Sequence, residues 1–432
     1  MSNNVSSGGS GAWPAAVGLL ARWLDRRERI DELIDGLPPG LSAADRARCQ
    51  HLVFGVVRHF GRLDGALGRL IAHPPRFPTR AVLLMAGFEL IEAAGGSEEG
   101  LVAKIVHHSV EQAKAVASPA EARLVNAVVR KLAGLLAAPP PAKLAPAEVL
   151  ADYFSHPDWL VRRWLVDFGA DGTRRLLEWN QCPAKVYARW RGTGSAPEFL
   201  QPTPWPGFLE VPSGKWSLVE PLLKSGQIYL QDPATRLAVE LLAPQPGESV
   251  LDACAAPGGK SLLIADAMKS GRLVAMDLPG PRISRLKENL ARAQGVEVAL
   301  VQGDLLKQAG EALREHRLPD SYPAVLIDVP CSNTGVMRHR VDVKWRLDPR
   351  DIDKHARQQL SMLHSAARLV APGGRLVYST CSIDAEENEH VVRSFLSGRG
   401  GSAFKLDASV VSLPWDSGHD GAAAYRLRRA EA

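Results

Sequence analysis

Two short motifs each place a cysteine directly after an apolar run that reads as a β-strand. Asp328-Val329-Pro330-Cys331-Ser332 follows Ala324-Val325-Leu326-Ile327, and Thr380-Cys381-Ser382 follows Arg375-Leu376-Val377-Tyr378. If the two strands are neighbours, both thiols reach one pocket. A lone cysteine in such a place is ordinarily a small core residue; two of them, with an acid alongside, are a candidate reactive pair. A thiolate adding to carbon 6 of a cytosine makes carbon 5 enamine-like and able to attack a methyl sulfonium. A base must then take the carbon 5 proton so that the thiol can leave. The adduct pushes negative charge toward ring nitrogen 3, where Asp328 helps if burial keeps its carboxyl protonated. The nucleophile needs a lowered thiol pKa or a base close by, and the residues leave open which.

A second group of residues suits a nucleoside cofactor. Asp252-Ala253-Cys254-Ala255-Ala256-Pro257-Gly258-Gly259-Lys260-Ser261 follows the strand-like Ser249-Val250-Leu251. Its small residues let a ligand approach the backbone, and the helix expected after Gly259 offers free N–H groups to a carboxylate. The segment is neither G-x-G-x-x-G nor G-x-x-x-x-G-K-[ST], so dinucleotide and triphosphate binding are weak readings. Asp277, ending the next strand, can accept both hydroxyls of a ribose, and Asp304, after Gly303, can meet an adenine edge. Each acid alone is an ordinary loop residue or helix cap; their register after successive strands favours the cofactor.

The elements that must position these groups alternate strand and helix from Pro233 onward. Strands are expected at Ser249–Leu251, Arg272–Met276, Val298–Val301, Ala324–Ile327 and Arg375–Tyr378, with a long helix near Asp351–Leu369. That order implies a parallel sheet covered on both faces. Ahead of it the chain differs. Residues 1–10 read as a disordered polar tail, and residues 11–136 as an all-α bundle with apolar residues at three- and four-residue steps. Residues 137–149, with Pro139-Pro140-Pro141, read as a linker, residues 150–230 as a small α+β domain, and residues 231–432 as the α/β domain. With 432 residues, 46% hydrophobic and 23% charged, the chain is long enough for several cores and should largely fold. The net charge of +5 suits an anionic partner without requiring one. The cysteines, Cys49, Cys182, Cys254, Cys331 and Cys381, form no C-x-x-C pair, so a zinc ribbon is excluded and a disulfide framework disfavoured. No metal, membrane span or secretion signal is expected, and the location expected is the cytoplasm.

The motifs Ala253-Cys254-Ala255-Ala256-Pro257-Gly258-Gly259-Lys260, Asp328-Val329-Pro330-Cys331-Ser332-Asn333-Thr334-Gly335 and Tyr378-Ser379-Thr380-Cys381-Ser382-Ile383-Asp384-Ala385-Glu386-Glu387-Asn388 resemble those of the RNA 5-methylcytosine methyltransferases. Gln231-Asp232-Pro233-Ala234 resembles the segment that precedes their catalytic fold. Gln50-His51-Leu52-Val53-Phe54-Gly55-Val56-Val57-Arg58 and Leu124-Val125-Asn126-Ala127-Val128-Val129-Arg130 resemble the NusB-like domain of the branch that acts on bacterial 16S ribosomal RNA. The resemblance implies a NusB-like bundle, a small α+β domain and a Rossmann-like class I methyltransferase domain, working as a monomer. It implies S-adenosylmethionine as cofactor, held by Cys254, Ala255, Ala256, Pro257, Gly258, Gly259, Lys260, Asp277, Asp304 and Asp328. It implies Cys381 as nucleophile and Cys331 as the residue that assists release. Three departures stand out: Leu278 where a second acid often follows Asp277, no proline in Arg338-His339-Arg340-Val341-Asp342, and Ala422-Ala423-Ala424 where an aromatic pair is usual.

Arg338, Arg340, Lys344, Arg346 and Arg350 surround Trp345 just after the Cys331 loop. Basic groups there can hold RNA phosphates, and the indole can stack on a base; the alternative is a solvated segment anchored by Trp345. A non-catalytic RNA-binding or antitermination factor would need neither cysteine. DNA cytosine-5 enzymes take their nucleophile from the Pro-Cys motif and lack a partnered Thr-Cys, and the amino-group DNA motif is absent.

Overall fold

The computed structural model describes residues 11–94, 100–116, 118–307 and 309–431, so the tail expected at residues 1–10 lies outside the described residues. The chain divides into two compact units: Met1–Pro183 with Met337–Leu347, and Ala184–Val336 with Asp348–Ala432.

The first unit is helical. Its helices Ala12–Arg26, Ala43–Arg58, Leu101–Val116 and Pro119–Leu136 pack around Trp23, Leu52, Val125 and Leu132, and Phe77–Ala93 runs through their centre with Ala81 to Phe88 buried on every side. Starts are marked chemically: Ser42 accepts from the Asp45 amide, and Ser118 accepts from the Glu121 amide with Pro119 in the first turn. Gly55 lets Ala43–Arg58 approach the Phe88 ring, where an added Cβ would fall 2.1 Å from Cζ. Beyond the proline-rich stretch, helices Ala147–Phe154 and Asp158–Gln181 belong to this same unit. Ser155 Oγ accepts from the Gly61 amide at 2.7 Å, and Arg174 donates to Pro141 O at 2.8 Å. The boundary expected at residues 137–149 is therefore replaced by one at Pro183, because these helices bury Leu150, Phe154, Leu160 and Trp164.

Met337–Leu347, the first part of the basic segment after the Cys331 loop, also lies in the helical unit, and Arg338, Lys344 and Trp345 make their contacts within it. Val341 is fully buried in the helical core. Lys344 Nζ donates to Arg58 O at 2.9 Å, and Trp345 Nε1 donates to Val57 O at 2.8 Å. Both carbonyls belong to the last turn of Ala43–Arg58, where main-chain acceptors lack helical partners. The Trp345 ring meets Phe60 edge-on, and Arg338 donates twice to Pro183 O while lying over Trp179. Arg338, Lys344 and Trp345 are thus spent on the protein itself. Arg340 is exposed, 3.5 Å from Asp31.

Among the described residues, the second unit carries two sheets. The strands are β1 (Val186–Trp190), β2 (Gln201–Pro202), β3 (Phe208–Val211), β4 (Ile228–Leu230), β5 (Ser249–Asp252), β6 (Arg272–Asp277), β7 (Glu297–Gln302), β8 (Tyr322–Asp328), β9 (Val370–Thr380), β10 (Phe404–Ser412) and β11 (Ala422–Arg429). β1–β4 form a small antiparallel sheet of order β2-β3-β1-β4. The larger sheet has the order β10-β11-β9-β8-β5-β6-β7, with β5–β9 parallel. Alternate residues of its strands bury against helices on opposite faces: Leu251, Val325 and Leu376 with Leu363 and Phe395, and Val250, Leu326 and Val377 with Ile264 and Leu286. The expected strands are all present. The terminal Arg426-Leu427-Arg428-Arg429 is part of β11, an inner strand, with Arg426 paired to Asp407. The small sheet joins this unit through Arg189 and Arg191 on Asp266, so residues 150–230 are not a separate domain. Among the described residues no helix is long and apolar enough to cross a membrane.

Burial pushes the Lys344 amine well below its ordinary value of 10.5, and the Arg58 charge adds to the effect. Between that lowered value and 10.5 the native state binds fewer protons than the unfolded chain, so stability rises with pH across this window. Lys344→Met is expected to flatten that rise. Urea midpoints of helical-unit circular dichroism at neutral and alkaline pH measure it, and an unchanged slope would show that Lys344 contributes nothing.

Candidate active site

The larger sheet reverses its winding between β5 and β8, and open α/β sheets bind ligands beyond the carboxyl ends of strands at such a point. The turn after β5 is held to both neighbours: Ala253 N donates to Leu326 O at 2.9 Å and Ala255 N to Met276 O at 3.0 Å. Asp277 at the tip of β6 accepts from the amides of Ala256 and Leu278, each at 2.8 Å, and lies 3.4 Å from Arg282. Asn289 Nδ2 donates to Pro257 O at 2.7 Å. Gly258 sits at φ 104°, a conformation that side chains rarely adopt, and leads into helix Gly259–Met268. Asp304, beyond β7, accepts from the Leu306 amide at 2.9 Å. The structure thus gathers Ala255 to Gly259, Asp277 and Asp304 at the tips of three consecutive strands. Leu278, where the second acid was missing, is half-exposed beside Asp277.

β8 and β9 are adjacent, with Asp328 opposite Ser379. The two thiols at their tips meet: Cys331 Sγ and Cys381 Sγ are 3.2 Å apart. Cys381 also donates to Asn333 Oδ1 at 3.3 Å, while Asn333 Nδ2 donates to Cys331 O at 2.8 Å. Cys331 is 7% exposed and Cys381 more so. The hydrogen bond with Cys381 and then burial push the Cys331 thiol well above its ordinary value. Cys254 is also pushed up by desolvation, which leaves it an unreactive thiol.

Lys260 lies with the thiols. Its Nζ is 2.7 Å from Asp328 Oδ2, and Ser379 Oγ donates to Asp328 Oδ1 at 3.1 Å. Burial lowers the Lys260 pKa, but Asp328 and then Cys381 outweigh it, and the net shift is upward. The ammonium is therefore firmly held, and Asp328 is its counter-ion as well as a candidate acid. A cavity of about 60 Å³ opens here, lined by Asp232, Thr235, Lys260, Ser379, Cys381 and Gly421 among others. Behind the thiols lies a buried polar network that the sequence did not reveal. Thr334 Oγ1 donates to Asp384 Oδ2 at 2.5 Å, Thr380 Oγ1 to Asn388 Oδ1 at 2.6 Å, and Ser332 to Glu387. The run Asp384-Ala385-Glu386-Glu387-Asn388 belongs to the motif that carries the resemblance, but its types and spacing alone do not show that Asp384 and Glu387 are buried. Asp252 is likewise buried; burial pushes it up to about 7, against the donor Ser261 at 2.6 Å.

A family profile described as 16S rRNA methyltransferase RsmB/F matches residues 239–412, and one described as the NusB family matches residues 14–134. Ribosomal RNA small subunit methyltransferase B of Sodalis glossinidius (strain morsitans) is 33% identical over 397 residues, covering 88% of this chain and 88% of that protein. The chain belongs to this methyltransferase family. The protein of the same name from Citrobacter koseri is 30% identical, covering 86% of this chain and 87% of its own length. Among solved structures, PH0851 shares the fold with a TM-score of 0.73 at 22% identity, over 98% of this chain and 99% of that one. NSun6 from Pyrococcus horikoshii, solved with SFG, gives a TM-score of 0.54 at 19% identity, over 64% of this chain and 99% of its own.

Methyltransferases of this family use S-adenosylmethionine. The β5–β7 tips fit it: a carboxylate at Asp277 for hydroxyls, a tight glycine turn with no side chains of its own, and the amides of a helix start that has no side-chain cap. Asp277→Ala is expected to weaken S-adenosylmethionine binding by about ten- to a hundredfold, the loss of one or two charge-assisted hydrogen bonds. Calorimetric titration measures this, and an unchanged affinity would remove Asp277 from the site.

Proposed function

We propose that this chain methylates carbon 5 of a cytosine in small-subunit ribosomal RNA through a covalent cysteine adduct, in the cytoplasm where that RNA is assembled. The observation that carries the reading is the pair of thiols 3.2 Å apart at the tips of β8 and β9, beside the Lys260–Asp328 ion pair. Carbon 5 is too weak a nucleophile to take a methyl group until a sulfur has added at the electron-poor carbon 6, and that sulfur must then leave; two adjacent sulfurs can divide that work. Membership of a ribosomal RNA methyltransferase family supports the RNA substrate.

Cys381 is the sulfur that lines the cavity, whereas Cys331 is buried and holds its proton strongly. Cys381 therefore forms the bond to carbon 6, and the displaced ring electrons make carbon 5 nucleophilic. The charge that reaches ring nitrogen 3 is met by the Lys260 ammonium, which Asp328 holds in place. S-adenosylmethionine, when bound, supplies the methyl group as a sulfonium. A base then takes the carbon 5 proton, and the electrons of that bond re-form the ring double bond and expel the Cys381 sulfur from carbon 6 as a thiolate. Cys331, in contact with Cys381 throughout, is placed to assist that release.

The order of these steps makes the two cysteines distinguishable. Addition precedes release, so Cys381→Ala is expected to lose both methylation and any protein–RNA adduct. Cys331→Ala should still add and then stall, so that a denaturation-resistant protein–RNA band builds up; the double variant should show none. A denaturing gel with labelled RNA and cofactor reads the pattern. A band in Cys381→Ala alone would swap the two roles, and no band in either single variant would refute the covalent route.

A further inference from the structure

The two sulfurs sit in opposite electrostatic surroundings. Cys381 lies in the field of Lys260, whose ammonium is fixed by Asp328. Cys331 lies in the field of Glu387, whose side chain is fully buried. Glu387 Oε1 accepts from the Ser332 amide and from Gln359 Nε2, each at 2.9 Å, and Oε2 accepts from the Ser332 hydroxyl. Burial raises the Glu387 pKa and the net shift is upward, but three donors converging on its two oxygens oppose that shift and suit the carboxylate form. Among the described residues no lysine or arginine pairs with it, so its charge acts on its neighbours.

Its attachment is heavier on the Cys331 side. Gln359 Nε2 donates to Pro330 O at 2.9 Å as well as to Glu387, and Glu387 holds the Ser332 amide. The residues on both sides of Cys331 are therefore tied to one Gln359–Glu387 pair. Tyr378 donates its hydroxyl to Glu387 O, which anchors the carboxylate to β9. On the Cys381 side Glu387 meets only the Ser382 hydroxyl, and the Cys381 sulfur itself faces Asn333 and the cavity.

We propose that Glu387 is a positioning residue that keeps the proton of the thiol pair on Cys331, so that Cys381 is the sulfur free to attack. A thiolate at Cys331 would stand beside a buried carboxylate, and like charges in a poorly solvated site are costly. Among the described residues, Cys381 on the adjacent loop and Tyr378 on β9 also act on Cys331, and neither supplies positive charge; Asp384 lies beside Glu387. The assignment rests on the two-thiol reading above and explains why two sulfurs in contact do not compete for the same role.

The test is peptide-resolved alkylation of the full chain with iodoacetamide across neutral to alkaline pH, without RNA or cofactor. In the wild type, Cys331 should become reactive at higher pH than Cys381. Glu387→Gln keeps the shape and removes the charge. It should move the Cys331 profile down by about one pH unit or more, and the Cys381 profile far less. Glu387→Asp, which keeps the charge, should restore the wild-type order. Cys331 reacting at lower pH than Cys381 in the wild type would overturn the proposal even if Glu387→Gln failed to fold. So would equal shifts of both thiols, or no shift, in a folded Glu387→Gln protein. Because the readout involves no methyl transfer, it fails separately from the adduct gel.

Discussion

The site depends on the backbone approach between the loops that leave β8 and β9. Neighbouring strands lie about 4.8 Å apart, so adjacency alone brings Asp328 beside Ser379 but does not bring two side chains beyond them into contact. The loops converge because Val329 N donates to Ser379 O and Gly335 N donates to Cys381 O, each at 3.0 Å. Gly335 cannot be larger: a Cβ there would fall 2.6 Å from Cys381 O and 2.9 Å from Gly421. Gly421 in turn donates to Gly335 O at 2.8 Å, which draws the loop before β11 into the same seam. The run Ala422-Ala423-Ala424 then starts an inner strand paired to Ser379 and Thr380, and bulkier residues would have to fit against the cavity wall that these alanines line.

Electrostatics follow from that seam. A polar network in a protein interior stabilises only when its members are satisfied, and it then fixes one geometry. On the cavity side the seam carries the Lys260–Asp328 ion pair; behind it lie Glu387, Asp384 and the hydroxyls of Ser332, Thr334 and Ser382. The hydroxyls bridge the two loops, since Ser332 and Thr334 follow β8 while Ser382 follows β9. The same small polar residues that make each motif recognisable in sequence are therefore the ones that hold the motifs together in space.

What could be read in advance was what repeats along a strand or a turn. β5 to β9 were legible because their apolar runs alternate with helical stretches, and the Ala253–Lys260 loop because its small residues stand between the two. β10 and β11 were not. β10 leaves Lys405, Leu406 and Asp407 exposed, and the alanines and arginines of β11 carry no strand pattern; only its partners on both sides make it a strand. Adjacency of Cys331 and Cys381 was inferable, but the carboxylates behind them were not, since an acidic run is ordinarily solvated. The contacts of Lys344 and Trp345 were hidden for the same reason. Lysine is rarely buried, and only the unfilled carbonyls of Val57 and Arg58 explain its place.

The helical unit also bears on the reactive loop through the chain itself. The segment leaves the Cys331 loop at Val336, enters the helical unit as Met337–Leu347, and returns at Asp348, the cap of helix Pro349–Ala367. Gln359 on that helix holds Pro330 O and Glu387. The Cys331 loop is therefore pinned at both ends. Ordering a segment of this length costs about 1–2 kcal/mol per residue in backbone entropy, which the loop's own hydrogen bonds offset only in part. Burial of Val341 and Trp345, and the two helix-end carbonyls they accompany, supply favourable terms that fall outside the catalytic fold. Within the second unit itself, Pro330 and Ser332, the residues that flank Cys331, are both held by the Gln359–Glu387 pair, so the order of the thiol loop rests on helix Pro349–Ala367.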